Sequence, residues 1–293
     1  MRAALLGLLA LAGCAGGLLL QDHPLAGRVW DVRTGAFVTA EEMLAQAARS
    51  QHVILGETHD NPEHHRLQRV ALETIARDGK RRALAMEQFD SEHQSAIDAA
   101  RARAADAEAL ADAGRFDRKG WNWALYKPLV EFAVERGWPL VAANLSRGEA
   151  RLIIAEPSRS GLPPAAAAMR EALERDLIEG HCGERPEARR LAGMVEAQRA
   201  RDARMAGALV SQAATATVLV TGQGHARKDA GVPRYLKDDA PISIGLVEVE
   251  DAQREPRDYL TGFATQASFD YLWFTPRFAR KDPCGAMKPA AAR

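Results

Sequence analysis

Two short motifs in this chain each place a histidine three residues after a glycine, directly behind an apolar run. The first is Gly56-Glu57-Thr58-His59, and the second is Gly222-Gln223-Gly224-His225. Apolar runs of this length are typical of buried strands, and in open α/β sheets the functional groups collect at the carboxyl ends of the strands. Either motif alone is most simply a helix start with an incidental histidine. The two together predict one site assembled from distant parts of the chain.

The two glutamates in this arrangement need partners. Glu57 lies inside the first motif, and Glu87 follows the next predicted strand along the chain. A carboxylate at the end of a buried strand is costly unless it is paired or bound to a metal, so His59 and His225 are natural partners. Two histidines with two carboxylates suit a divalent transition metal with open coordination positions. They suit equally a network of hydrogen-bonded pairs without a metal, and the residues alone leave both alternatives open.

Further polar side chains are expected near this site. Asn144 and Arg147 follow another predicted strand, so the same edge of the sheet receives an amide and a guanidinium. His64 and His65 lie on the helix that follows the first motif. We expect His64 to face the crevice and His65 to lie on a solvent face.

The elements that position these residues follow from the alternation of strand and helix patterns. Thr34-Gly35 between two short apolar runs predicts a hairpin. Thr39 with Glu42 predicts a capping box at a helix start, and one helix is expected from about Asp90 to Ala113. Strands that alternate with helices predict an α/β fold with a mainly parallel sheet flanked by helices.

Length and composition bound the domain organisation. Residues 150–214 lack a strand pattern and predict an inserted all-helical subdomain, whereas residues 15–149 and 215–280 form the α/β core and residues 281–293 form a tail. The chain has 39 basic and 39 acidic residues, so its charge provides no electrostatic argument for binding nucleic acid.

The amino terminus predicts export and a lipid anchor. Met1-Arg2 is a short basic start, and the apolar run Ala3–Ala12 is too short to span a bilayer but fits a signal peptide. Leu11-Ala12-Gly13-Cys14 has the bacterial lipobox pattern, in which the cysteine is acylated and becomes the new first residue. The alternative is an ordinary secretory signal with a stray cysteine. Because Ala15 and Gly16 lack a retaining aspartate, we expect an outer-membrane protein that faces the periplasm or the cell surface.

The remaining cysteines are Cys182 and Cys284. An even pair in an oxidising compartment predicts a disulfide that links the middle of the chain to its tail. Two separate buried thiols are the alternative.

A series of motifs runs along the chain in this order: Gly56-Glu57-Thr58-His59-Asp60-Asn61-Pro62-Glu63-His64-His65, Met86-Glu87-Gln88-Phe89 with Gln94, Trp123 with Tyr126 and Pro128, Asn144-Leu145-Ser146-Arg147, Ala197-Gln198 with Asp202 and Met205-Ala206, Gly222-Gln223-Gly224-His225 and Gly231-Val232-Pro233. This order resembles that of the ChaN family of haem-binding, iron-regulated lipoproteins. The likeness extends from about Leu25 to Val249. The wider superfamily resembles the Tiki metalloproteases and the erythromycin esterases.

The resemblance implies haem held between two like subunits, with a tyrosine as the iron ligand. Tyr126 matches the aromatic segment of the family and is the first choice, and Tyr235 is the second. The alternative for Tyr126 is a core aromatic residue whose hydroxyl has an internal partner. No CxxCH motif is present, which points to non-covalent haem b. The further residues expected to contact haem are His59, His64, His225 and Arg147.

Two functions therefore remain open at the level of the sequence. The favoured one is a non-catalytic lipoprotein that binds haem as a homodimer and serves iron uptake, with an outer-membrane haem or iron receptor as a partner. The alternative is a metal-dependent hydrolase, in which Glu57, His59, Glu87 and His225 surround a metal-activated water and the two glutamates are catalytic. A third interpretation is a partner-binding lipoprotein with a vestigial site.

Overall fold

The computed structural model of the protein describes residues 17–212, 215–236, 240–260, 268–282 and 284. The predicted signal segment with Cys14 lies outside the described residues, as does most of the tail after residue 284. None of the helices in the described ranges has the length and apolar character needed to cross a membrane.

A large sheet forms the centre of the molecule. The strands in the described ranges are β1 Leu18–Leu19, β2 Val29–Asp31, β3 Ala36–Val38, β4 His52–Glu57, β5 Arg82–Asp90, β6 Leu140–Asn144, β7 Ala216–Gly222, β8 Ile242–Glu248, β9 Tyr271–Thr275 and β10 Arg277–Phe278. Eight of them form one sheet in the order β3-β2-β9-β8-β4-β7-β5-β6, and β1 pairs with β10 separately. Neighbours from β9 to β6 are parallel, whereas β2 is antiparallel to β3 and β9. The predicted mainly parallel sheet is confirmed.

Helices cover both faces of this sheet. They are α1 Ala40–Ala47, α2 Pro62–Ile75, α3 Gln94–Ala102, α4 Ala107–Ala113, α5 Trp123–Glu135, α6 Arg147–Ala155, α7 Ala167–Gly180, α8 Ala188–Val210, α9 Gln223–Ala226 and α10 Pro256–Leu260. Side chains alternate along β4, so Val53 and Leu55 join a core with residues of α1, α2 and α5. Ile54 points to the opposite face and packs with Met205 and Leu209 of α8. Strands buried on both faces explain the continuous apolar runs in the sequence.

Local predictions near the amino terminus hold in the structure. β2 and β3 form the predicted antiparallel hairpin, and α1 begins with the predicted capping box of Thr39 and Glu42.

The prediction of a single helix over residues 90–113 is wrong, because β5 continues to Asp90 and the helical part divides into α3 and α4. Ala104 has a left-handed backbone conformation between them, and Asp106 caps α4.

Between β6 and β7, the described residues form the helices α6, α7 and α8. Helix α8 packs against α6 and also reaches the sheet at β6. Cys182, just after α7, is disulfide-bonded to Cys284. The end of the described chain is thereby tied to this helical region.

Candidate functional site

The central strands β4, β7 and β5 are neighbours, and their carboxyl ends bring the predicted site residues together. Glu57 is the last residue of β4 and lies in register with Gly222, the last residue of β7. Glu87 lies on β5, one residue beyond the pairing of Met86 with Val220. His225 follows on the short helix α9. The two Gly-x-x-His motifs thus share one crevice at the carboxyl edge of the sheet.

Glu57 is the buried centre of the first half of this site. Its Oε1 accepts hydrogen bonds from Tyr126 Oη at 2.6 Å and from His59 Nδ1 at 2.9 Å. Its Oε2 accepts from Gln68 Nε2 at 2.6 Å. Burial alone would raise the pKa of this carboxyl group, but the nearby charge of His65 and the hydrogen bond from His59 outweigh it and lower the pKa to about 2. Glu57 is therefore a carboxylate that organises its neighbours.

His59 is the part of this cluster that reaches the surface. Its side chain is 43% exposed, and Nε2 makes no hydrogen bond to any described residue. Burial would lower its pKa, but the hydrogen bond to Glu57 and the charge of Glu87 outweigh it and raise the pKa to about 9. The ring lies over Gly222, where a Cβ atom would stand 2.9 Å from Nε2. A side chain at position 222 would therefore displace the imidazole from its place beside Glu57.

Glu87 and His225 form the second half of the site. Glu87 Oε2 accepts from Thr221 Oγ1 and from the Gly222 amide, each at 2.7 Å, and its Oε1 lies 3.5 Å from His225 Nε2. His225 Nδ1 lies 2.6 Å from Asp202 Oδ1. The imidazole is thus held between two buried carboxyl groups.

The protonation states of Glu87, Asp202 and His225 follow from their burial and from the charges that they place on one another. Burial lowers the pKa of His225, but the charges of Glu87 and Asp202 outweigh it and raise the pKa. Burial raises the pKa of Asp202 to about 6, against the opposing charge of His225. Burial also acts to raise the pKa of Glu87, but the charges of His225 and His59 lower it. A protonated His225 between the two carboxyl groups is the arrangement that these shifts favour.

Both His64 and His65 are buried in the structure. His64 is fully buried, where Nδ1 accepts from the Thr58 amide at 2.8 Å and Nε2 lies 2.8 Å from Thr275 Oγ1. Burial lowers its pKa to about 4, so this imidazole is neutral. Both ring nitrogens are occupied within the protein, and the expectation that His64 contacts haem stays a prediction. His65, expected on a solvent face, is buried beside Glu57 with Nε2 at 3.0 Å from the His59 carbonyl oxygen.

Of the two candidate tyrosines, Tyr126 has the setting of the alternative from the sequence, a core aromatic residue whose hydroxyl has an internal partner. Tyr126 is fully buried, its hydroxyl donates to Glu57, and its ring packs edge-on against His65. Burial and the charge of Glu57 raise the pKa of this phenol. Its oxygen therefore faces the interior and not a subunit boundary. Tyr235 is half-buried, and its hydroxyl oxygen is enclosed near Arg199.

Beside Glu87 the crevice opens into a cavity of about 620 Å³. Trp121 lines it, and its ring meets the His59 ring edge-on at 4.7 Å between centroids. Arg147, the first residue of α6, also lines it with a side chain that is 64% exposed and pairs with Asp117 at 3.1 Å. The mouth of the site therefore combines an imidazole, an indole ring and an accessible guanidinium.

The donor set does not fit a bound metal ion. Among the described residues, no group of three or more histidine, cysteine, aspartate or glutamate side chains is arranged to hold one. Glu57 instead pairs with His59, and Glu87 pairs with His225, each within a separate set of hydrogen bonds. The site matches the second alternative from the sequence, a network of hydrogen-bonded pairs. The geometry therefore does not favour the metal-dependent hydrolase.

Sequence analysis noted Gln198 and Asp202 only within the family motifs, without a role in the site, and it missed Gln68. Asp202 and Gln198 lie one turn apart on α8, and Gln198 Nε2 lies 3.2 Å from His225 Nε2. Gln68 lies on α2 three residues after His65, on a helix face that is otherwise apolar. Two buried polar residues at i and i+3 on an apolar helix face are a signal that could have identified His65 and Gln68, because each must find a hydrogen-bond partner.

Comparison with known proteins assigns the family. The profile of the family described as haem-binding uptake, Tiki superfamily, ChaN matches residues 43–236, which is well over half of the chain. The chain belongs to the ChaN family. The resemblance seen in the order of its motifs is thus confirmed. No curated protein matches the sequence of this ChaN-family chain significantly.

One solved structure shows the same fold as this chain, and others are more distantly similar. A structure described as cofacial haem binding to ChaN of Campylobacter jejuni has a TM-score of 0.69 and 22% identity, and the match covers 84% of this chain and 95% of that one. A mutant of the erythromycin esterase EreC in its open conformation has a TM-score of 0.42 and 12% identity, covering 83% and 94%. RRSP, a toxin effector domain from Vibrio vulnificus, has a TM-score of 0.41 and 14% identity, covering 74% and 39%. The ChaN fold agrees with the predicted α/β class.

Proposed function

We propose that this protein binds haem at the mouth of the crevice and serves iron or haem uptake, and that the His59 imidazole would hold the iron. The observation that carries the proposal is the state of the His59 ring. Its Nδ1 is held by the buried Glu57, its Nε2 has no hydrogen-bond partner among the described residues, and 43% of the side chain is exposed. Metal-binding histidines commonly donate their other ring N–H to a carboxylate, and imidazole is a common axial ligand of haem iron.

A tyrosinate ligand, which the family resemblance implies, is the competing assignment. The Tyr126 hydroxyl is buried and donates to Glu57 at 2.6 Å. To bind iron through this oxygen, the phenol would have to move away from His65, against which its ring packs. The buried Glu57 carboxylate would then lose one hydrogen-bond donor. His59 requires no such rearrangement.

Other groups at the mouth suit the rest of a haem. Trp121 offers an aromatic surface beside the imidazole, and the exposed Arg147 guanidinium can bind a propionate carboxylate through paired hydrogen bonds. Because His59 lies at an open mouth, one chain covers one face of the haem. We therefore propose that a second copy covers the other face, in a homodimer that forms on haem binding. The cofacial haem named for the Campylobacter jejuni ChaN structure supports this arrangement.

The experiment that tests this function is a haem titration of soluble protein that begins at residue 17. We expect a saturable shift of the Soret band with one haem per two chains, and a concurrent rise in the dimer fraction in sedimentation velocity. A spectrum that stays that of free haem at saturating protein would contradict the proposal. Binding without dimer formation would contradict only the shared-haem arrangement.

We also propose that the mature protein is anchored in the outer membrane through Cys14 and exchanges haem with an outer-membrane haem or iron receptor. The lipobox pattern Leu11-Ala12-Gly13-Cys14 supports this. Cys14→Ser should move the protein from the membrane fraction to the soluble fraction, because acyl chains hold it there. Phase partitioning in detergent measures the shift, with a conservative change at Ala15 as the control. Unchanged partitioning of the Cys14 variant would show that the anchor is wrongly assigned.

A further inference from the structure

The loop that carries His59 is held from outside by the last described part of the chain. We call residues 276–282 and Cys284 the C-terminal strap. Arg280 of this strap donates from Nη2 to Asp60 Oδ1 at 2.8 Å and from Nε to Asp60 Oδ2 at 2.9 Å. It also donates from Nη1 and Nη2 to the two carboxylate oxygens of Glu248, at 2.7 and 2.6 Å. One guanidinium therefore bridges the residue after His59 and the end of β8.

A second contact joins the same three segments. Asn61 donates from Nδ2 to Glu248 Oε1 at 2.7 Å and to the Pro276 carbonyl at 3.1 Å. The same side chain caps α2 by accepting from the Glu63 amide. The start of α2 and the strap are thus fixed to one carboxylate, that of Glu248, whose side chain is only 11% exposed.

The strap itself is fixed at both of its ends. On one side, β10 pairs with β1 through Arg277 and Phe278. On the other side, Cys284 is bonded to Cys182 at the end of α7. Arg280 lies between these two attachments, so its position is determined by elements that do not belong to the His59 loop.

We propose that the C-terminal strap is a clamp for haem binding, in which Arg280 is a positioning residue that fixes the His59 loop and the Cys182–Cys284 disulfide holds Arg280 in place. The inference rests on the proposed function, because it assigns to the clamp the orientation of an iron ligand. A bidentate guanidinium suits this role, since its planar fork sets the direction as well as the distance of each carboxylate. A lysine at this position would keep the charge but lose that direction.

The test compares Arg280→Gln with a matched change in the same strap. Arg277 also pairs with a carboxylate, Glu250 at 2.8 Å, but has no hydrogen bond to the His59 loop. We expect Arg280→Gln to weaken haem binding by about 10- to 100-fold, as changes to the groups that orient metal ligands do. Arg277→Gln should bind haem like the wild type. Arg280→Lys should fall between the two, and the double change Cys182→Ser with Cys284→Ser should weaken binding in the same direction as Arg280→Gln.

A second measurement on haem-free protein separates this inference from the proposed function. The Thr58 amide donates to His64, and the Asn61 amide donates to the Thr58 carbonyl, so both report on the loop. Arg280→Gln should speed hydrogen exchange at these two amides, and Arg277→Gln should not. Wild-type exchange in Arg280→Gln would overturn the clamp even if haem binding weakened. If the wild-type protein did not bind haem, the proposed function would fail, and faster exchange would still establish that Arg280 orders the loop.

Discussion

Ferric haem binding should be lost when His59 is replaced by alanine. The substitution removes the exposed Nε2 but leaves Glu57 with its hydrogen bonds from Tyr126 and Gln68. The loss of affinity should exceed the roughly 10- to 100-fold that follows from disturbing only the surroundings of a metal ligand. Haem titration followed by the Soret band measures it. Circular dichroism should show that the fold is retained.

Tyr126→Phe is the control that separates the two ligand assignments. It keeps the ring and removes one hydrogen bond to a buried carboxylate, so the free energy of unfolding should fall by about 1.5–3 kcal/mol. The haem spectrum should be that of the wild type. Loss of a tyrosinate charge-transfer band in this variant, with normal binding by His59→Ala, would assign the iron to Tyr126. Tyr235→Phe should leave both stability and spectrum nearly unchanged.

The pH dependence of haem affinity gives an additional check on His59. Its pKa is raised to about 9, so Nε2 carries a proton at neutral pH that the iron must displace. Affinity should therefore rise about tenfold per pH unit up to pH 9 and then level off. An affinity independent of pH between 7 and 9 would exclude this nitrogen as the ligand.

Acid destabilisation that depends on His64 is the second large effect that we expect. The folded-state pKa of His64 is lowered from 6.5 to about 4, because the imidazole is fully buried and both nitrogens are occupied. A group with a depressed folded pKa contributes stability that is present above pH 6.5 and is lost as the pH falls to 4. A shift of this size corresponds to about 3 kcal/mol of unfolding free energy.

His64→Gln removes the titrating group and should flatten this part of the profile. Unfolding by urea at a series of pH values from 7 to 4 measures the difference between the variant and the wild type. The variant should be less stable at pH 7, since glutamine cannot reproduce both hydrogen bonds of the ring. His181→Gln changes an exposed histidine and should leave the profile unchanged. A wild-type slope in His64→Gln would mean that other groups cause the acid loss.

The expected loss of haem binding in His59→Ala and the expected acid destabilisation through His64 both arise from the structure of one turn. The β4–α2 turn contains an exposed imidazole for a ligand, whereas the buried imidazole of His64 serves the backbone of the same turn. The buried groups hold the backbone of this turn through hydrogen bonds, whereas the exposed Nε2 of His59 takes part in none of them. Loss of stability at acid pH and loss of haem are therefore expected to be separable by mutation.

Sequence patterns alone predict the frame of the site. Apolar runs of strand length, each followed by polar residues, were enough to place Glu57, Glu87 and His225 near the carboxyl ends of strands, although β5 continues past Glu87 to Asp90. A parallel sheet then requires those ends to lie at one edge, whatever the details of packing. Local signals of short range, such as the Thr39–Glu42 capping box, were equally reliable because they depend only on residues within one turn.

Which of the polar residues are exposed and which are buried depends on how the helices pack against the sheet. His64 is the third residue of α2, so it points back at the Thr58 amide, and the rotation between successive helical residues turns His65 toward Glu57. Tyr126 became a donor to Glu57 because α5 packs on α2, and a buried carboxylate must take its hydrogen bonds from whichever elements cover it. Those contacts join residues far apart in the chain, and no local pattern encodes them.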